Sequence, residues 1–110
     1  MAAVLGDMYE LGENGERFHE EIGMYFAKKG GSLLYPFGSS SEQIARGAVL
    51  GGAHPESIYQ NGNVRSPELT GEMLLYSLRA GDTLLVKASR GAAAERIINY
   101  LKENKDRLPI

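Results

Sequence analysis

Two short segments hold most of the chemistry this sequence can offer. Gly6-Asp7-Met8-Tyr9-Glu10-Leu11-Gly12 follows an apolar run and sets two acidic side chains, Asp7 and Glu10, among glycines. Lys87-Ala88-Ser89-Arg90-Gly91 follows a second apolar run with the charge reversed. Where a strand gives way to a helix, free backbone N–H groups add to the two cations and the Ser89 hydroxyl, a combination suited to an anion. The plainer reading is that Ser89 caps the helix while Lys87 and Arg90 are solvated. Asp7 has three readings: it orients a ligand amine, holds a magnesium-bound phosphate, or accepts N–H bonds in its own turn. Glu10 reads equally well as a solvated turn residue.

Other candidates are weaker. Gly38-Ser39-Ser40-Ser41 is a similar junction without cations, and capping explains it better than ligand binding. Neither it nor any other segment fits GxxxxGK[ST], so no phosphate-binding loop of that kind is present. His19 flanks an apolar position on a helix and reads as a packing or hydrogen-bonding residue, and His54 as a loop residue. Two isolated histidines and no cysteine argue against a zinc site, disulfides and thiol catalysis. No serine stands in a nucleophile-elbow pattern. A net charge of -2, with Lys and Arg scattered, gives no support to nucleic acid or an anionic membrane as partner. No apolar run approaches bilayer length and no leader precedes the first strand, so a soluble, cytoplasmic protein is expected.

The elements that must position these loops follow from periodicity. Ala2 to Leu5 is an apolar run too short for a helix. From Asn14, Phe18, Ile22 and Phe26 fall on one helical stripe, which closes at Lys28-Lys29 before Gly30-Gly31. Leu33 to Tyr35 is the second strand. Ser40 with Gln43 resembles a capping box for a helix that turns Ile44, Ala45, Ala48 and Val49 inward and stops at Gly51-Gly52. Ser57 to Tyr59 is a weak third strand. Ser66-Pro67-Glu68 starts a helix with Leu69, Met73 and Tyr76 as its apolar face, ended by Gly81. Thr83 to Val86 is the fourth strand, and Ala94, Ile97, Ile98 and Leu101 mark the last helix. Strands alternating with helices predict one α/β domain: three layers, Rossmann-like, with a mostly parallel sheet of about four strands and helices on both faces. In such sheets ligands bind at the carboxyl ends of the strands, which sets both charged loops on one rim.

Taken together, Gly-Asp-Met-x-Glu-Leu-Gly at Gly6 to Gly12, His19 and Gly23, and Lys-x-Ser-Arg-Gly at Lys87 to Gly91 resemble one family. It is the C-terminal domain of the MurF family, the UDP-N-acetylmuramoyl-tripeptide–D-alanyl-D-alanine ligases of bacterial peptidoglycan synthesis. Ala80 to Lys87, and Gly38 with Ile44 to Ala48, fit the same pattern. Ala88 departs from it, standing where the family usually has glycine, and 53–65 matches nothing.

The resemblance implies that residues 1–110 are a fragment. The first strand–helix unit of the domain, the central ATPase domain and the N-terminal domain would be absent. It implies a ligation in which ATP and Mg2+, held by the full-length enzyme, convert the tripeptide carboxylate to an acyl phosphate that the amine of D-alanyl-D-alanine attacks. Partners would be the two substrates and the central domain of the same chain, while the fragment alone would bind no cofactor and be inert. Lys87, Ser89, Arg90 and Asp7 would face the dipeptide. Gly6, Glu10, Gly12, His19 and Gly91 would maintain the motif. The rival readings are a receiver-type signalling module and a free-standing anion-binding α/β domain.

Overall fold

Four apolar residues in a row, Ala2–Leu5, form β1, and all four are buried because β1 is the middle strand of the sheet. The structure is a computed structural model and describes residues 1–8, 15–59, 67–87 and 92–108. β1 runs parallel to β2 (Leu33–Pro36) on one side and to β3 (Leu84–Lys87) on the other. Ala3 stands in register with Leu34 and Leu85, and Leu5 with Pro36 and Lys87. Parallel strands need crossovers rather than hairpins. Helices α1 (Gly15–Lys28), α2 (Ser41–Leu50), α3 (Pro67–Ser77) and α4 (Ala92–Glu103) run between and after the strands. The three-layer, Rossmann-like α/β architecture is the one the sequence predicts.

Each face of the sheet has its own core, as alternation along a strand requires. Ala3, Leu5 and Leu34 pack with Phe26 of α1 and with Ile44 and Ala48 of α2. Val4 and Tyr35 turn to the other face, where Leu74 and Leu75 of α3 meet Ala94, Ile97 and Leu101 of α4. Burying a side chain the size of leucine or isoleucine contributes about 1.5–3 kcal/mol, so these two clusters fix which face each helix takes.

Four local expectations change. Ser57 to Tyr59 is not a strand: Pro55–Ser57 is a 3₁₀ turn, and only Ile58 bridges to Leu34. The Ser57 amide and hydroxyl both bond to the His54 carbonyl, which leaves the Tyr59 amide to reach Leu34 O at 2.8 Å. On α1 the buried stripe is His19, Gly23 and Phe26, while Phe18 is exposed. On α2, Ile44, Ala45 and Ala48 are buried as predicted but Val49 is exposed. On α3 the buried residues are Pro67, Thr70, Gly71, Leu74 and Leu75, while Leu69 and Tyr76 are exposed.

Glycine explains how these helices are turned. A Cβ on Gly23 would lie 2.0 Å from Ile44 O, and one on Gly47 would lie 1.8 Å from Glu20 O. α1 and α2 therefore meet backbone to backbone, closer than any larger residue allows. Gly71 similarly lets Tyr100 of α4 lie against α3.

Polar side chains then clamp α3 to α4 and to the 3₁₀ turn at Lys105–Arg107. Arg96 pairs with Glu68, while the Glu72 carboxylate accepts bonds from Tyr100 and from both Nη atoms of Arg107, Nη1 at 2.9 Å. The Arg107 and Tyr100 hydrogen bonds hold the Glu72 carboxyl down at about 2. Because that value lies below the unfolded one, the stabilisation is complete above the ordinary carboxylate range and disappears as pH falls through about 2. Glu72→Gln should accordingly flatten the acid limb of a stability–pH curve between about 4.5 and 2. An unchanged acid limb in urea titrations would show that the clamp contributes nothing.

Candidate functional site

The chain leaves β1 toward α1, on one face of the sheet, and leaves β3 toward α4, on the other. Adjacent parallel strands whose connections diverge in this way open a crevice at their carboxyl ends, the usual ligand position in open α/β sheets. The Gly6 amide donates to Lys87 O at 2.9 Å, so the two strand ends are joined and Asp7 and Lys87 leave the sheet along one edge. Lys87 is exposed there. Glu10, Gly12, Asn14, Ser89, Arg90 and Gly91 lie outside the described residues.

Asp7 has partners that its own turn does not supply. Its Oδ1 accepts the Ser40 amide at 2.8 Å, and Oδ2 accepts the Ser39 amide at 3.1 Å and the Ser39 hydroxyl at 2.9 Å. These groups open α2, so a carboxylate at the end of β1 supplies the negative charge that a helix N-terminus favours. Partial burial raises the Asp7 carboxyl, and the hydrogen bonds from Ser40 and Ser39 more than offset this, leaving it below its ordinary value. The predicted capping box is absent: Ser40 makes no side-chain cap bond, and the buried Gln43 Oε1 has no partner among the described residues. Asp7 replaces it from 33 residues away. Spacing along the chain cannot reveal a cap of this kind.

Two glycines make room for this arrangement. Gly38 has φ +88, and a Cβ there would lie 2.8 Å from the Asp7 carboxylate. At Gly6 a Cβ would lie 2.3 Å from the Phe37 ring. His19 fixes the chain on the other side. Its Nε2 accepts the Met8 amide at 2.9 Å and is therefore unprotonated, so Nδ1 carries the hydrogen and donates to Gly15 O at 2.6 Å. This buried ring joins the end of the β1 segment to the start of α1. Among the described residues the rim consequently presents a preorganised backbone, an exposed cation at Lys87, and a carboxylate with three of its roughly four acceptor sites filled. Among the described residues no cluster of three or more His, Asp or Glu side chains is placed to hold a metal, and no helix is long and apolar enough to cross a membrane.

Comparison with known proteins bears on the fold and not on these side chains. No family model matches the chain. Over 92% of its length it is 33% identical to the UDP-N-acetylmuramoyl-tripeptide–D-alanyl-D-alanine ligase of Bacillus subtilis, of which the match covers 21%. The corresponding ligase of Mycobacterium tuberculosis is 35% identical over 90% of the chain and 21% of that protein. The Escherichia coli ligase is 30% identical over 92% and 21%. The chain thus spans about a fifth of the length of these relatives, and the match lies in their C-terminal part. A crystal structure of MurF from Acinetobacter baumannii superposes with a TM-score of 0.68 over 93% of the chain and 22% of that protein, at 20% identity, which speaks for the fold.

Proposed function

We propose that the chain is a member of the Mur ligase family, a relative of its C-terminal part, and on that premise the dipeptide-side domain of an ATP-dependent ligase. The reaction joins D-alanyl-D-alanine to a UDP-N-acetylmuramoyl-tripeptide. The observation that carries the reading is the rim at the ends of β1 and β3, where Lys87 stands exposed beside the Asp7 turn. ATP and Mg2+ belong to the rest of the ligase, since this sequence has no GxxxxGK[ST] loop to cradle phosphates. Their chemistry there is to turn the tripeptide carboxylate into an acyl phosphate.

The task of this domain is positioning. Holding an amine against an activated carboxyl replaces a bimolecular encounter with an oriented one. Lys87 and Arg90 pair with the dipeptide carboxylate, Arg90 through two parallel N–H bonds, and Ser89 adds a hydroxyl. Asp7 keeps one acceptor site for the attacking amine. Closure of the domain over the central one keeps water from the acyl phosphate.

Transplanting the chain into the Bacillus subtilis ligase, in place of the matching segment, tests this reading. In an active chimera, Lys87→Ala and Arg90→Ala should each raise the KM for D-alanyl-D-alanine about tenfold or more, the loss of a charged hydrogen bond. The KM for ATP should not change. Unaltered dipeptide kinetics in both variants would remove the assignment. The 110-residue chain alone should neither hydrolyse ATP nor ligate.

A further inference from the structure

At the amino ends of the strands, one strand length or about 13 Å from the Asp7–Lys87 rim, the chain has a second concavity. A cleft of about 440 Å3 lies between the last turn of α3 and the segment that bridges to Leu34. Leu33 and Tyr59 line one side of it, and Tyr76, Ser77, Arg79 and Asp82 the other. Small-molecule sites span about 300–1,000 Å3, so the volume suits a compact ligand.

The aromatic side of the cleft is anchored in the core. Tyr35 is buried, its hydroxyl donates to Ser77 Oγ at 3.0 Å, and its ring stacks on Tyr59 with centroids 5.0 Å apart at 15°. One face of Tyr59 is thereby covered, while the rest of this half-buried ring lines the cleft. Tyr76, on α3, is 81% exposed, so the core makes little use of its ring. Rings held in this way favour a further ring, offset-stacked or edge-on.

The charged side is a turn tied at both ends. The Arg79 amide donates to Asp82 Oδ2 at 2.8 Å and the Asp82 amide to Arg79 O at 3.0 Å, with Gly81 at φ +88 inside the turn. The Arg79 amide is diverted from Leu75 O, its partner had α3 continued. The last carbonyls of α3 therefore stay open, at the negative end of the helix dipole. Both side chains are exposed, and among the described residues neither the Arg79 guanidinium nor the Asp82 carboxylate takes part in an ion pair, even with the other. One short turn thus offers two opposite charges that do not neutralise each other.

We propose that this cleft binds a free aromatic α-amino acid. Its carboxylate pairs with Arg79, its ammonium with Asp82 and the open end of α3, and its ring lies on Tyr59 with an edge toward Tyr76. Charge balance selects the class. A simple anion satisfies Arg79 but meets the Asp82 carboxylate and the helix carbonyls, and a simple cation leaves Arg79 unpaired. A nucleotide stacks on the same ring but brings phosphate charge to the negative end of α3. A zwitterion answers both groups at once. The inference uses this chain's own geometry, at the end of the sheet opposite the rim, and stands apart from the ligase reading.

The test is a titration of the isotope-labelled 110-residue chain with phenylalanine. Saturable amide shifts should appear at Leu33, Tyr59 and Ser77 to Asp82, and none at Asp7 or Lys87. Hydrocinnamate, phenethylamine and alanine each lack one feature and should bind about tenfold more weakly or worse, the loss of a charged hydrogen bond or of the ring contact. Adenosine monophosphate should not compete. Arg79→Gln and Asp82→Asn should each weaken phenylalanine by about tenfold at an unchanged Tm, because asparagine keeps an acceptor for the Arg79 amide. Arg79→Gln should leave phenethylamine, which has no carboxylate, unaffected. Hydrocinnamate or phenethylamine binding as tightly as phenylalanine, shifts at the Asp7–Lys87 rim instead, or no saturation up to the solubility of phenylalanine would overturn the proposal. Should a variant fail to fold, the ligand series decides, since it uses the unaltered chain.

Discussion

Gly47→Ala should destabilise the domain by about 3 kcal/mol, the upper part of the range for overpacking, and lower its Tm by more than about 10 °C. In an exposed helix interior the same change gains up to about 1 kcal/mol, because alanine is the better helix former. Here the new Cβ would lie 1.8 Å from the Glu20 carbonyl oxygen and 2.6 Å from its carbon, both backbone atoms that no rotamer change can move. α1 and α2 would have to separate, loosening Phe26, Ile44 and Ala48 from the sheet and stretching the 3.2 Å Arg46–Glu20 pair. Gly23→Ala meets Ile44 O at 2.0 Å and should behave alike. Thermal melts suffice as a readout. Should Gly47→Ala be as stable as the parent, the two helices do not touch backbone to backbone.

Gly38→Ala and Asp7→Ala form the second informative pair. Removing the Asp7 carboxylate strips the start of α2 of three hydrogen bonds and its charge, at a cost of about 1–2 kcal/mol, the range measured for helix caps. Gly38→Ala combines two faults: a left-handed backbone, worth about 1–2 kcal/mol for a residue with a side chain, and a contact at 2.8 Å with the carboxylate. Deleting Asp7 relieves the second fault but not the first. The double variant should therefore be more stable than the sum of the single losses implies. Because the Asp7 carboxyl is held below its ordinary value, its contribution should persist above the usual carboxylate range and decline as pH falls through the folded value. Strict additivity in a double-mutant cycle would place the carboxylate away from Gly38.

Much of this architecture is legible in the sequence, and the misreadings have a common cause. Ala2 to Leu5 is apolar at every position, which only a central parallel strand needs, and α4 shows its buried Ala94, Ile97 and Leu101 at helical spacing. Helices that bury glycine or a hydrogen-bonded polar group are harder. Gly23 and His19 face inward on α1 where apolar periodicity favours Phe18, because close approach and two ring hydrogen bonds set its rotation. α3 has apolar residues at 69, 73, 74, 75 and 76, so several rotations satisfy the pattern, and the fit of Gly71 against Tyr100 favours one of them. At the rim, the glycines and charges around residues 7 and 87 are visible in the sequence. The partnership of Asp7 with Ser39 and Ser40 is not, since it exists only once β1 and β2 lie side by side.

That partnership also governs the order in which the molecule assembles. α2 has only ten residues, with a glycine inside and a serine at its start, so alone it would spend little time wound. The charge that steadies its first turn arrives from a distant stretch of polypeptide, after the first two strands have aligned. Winding of this helix is thereby tied to completion of the sheet, and the rim and its neighbouring helix form and melt together.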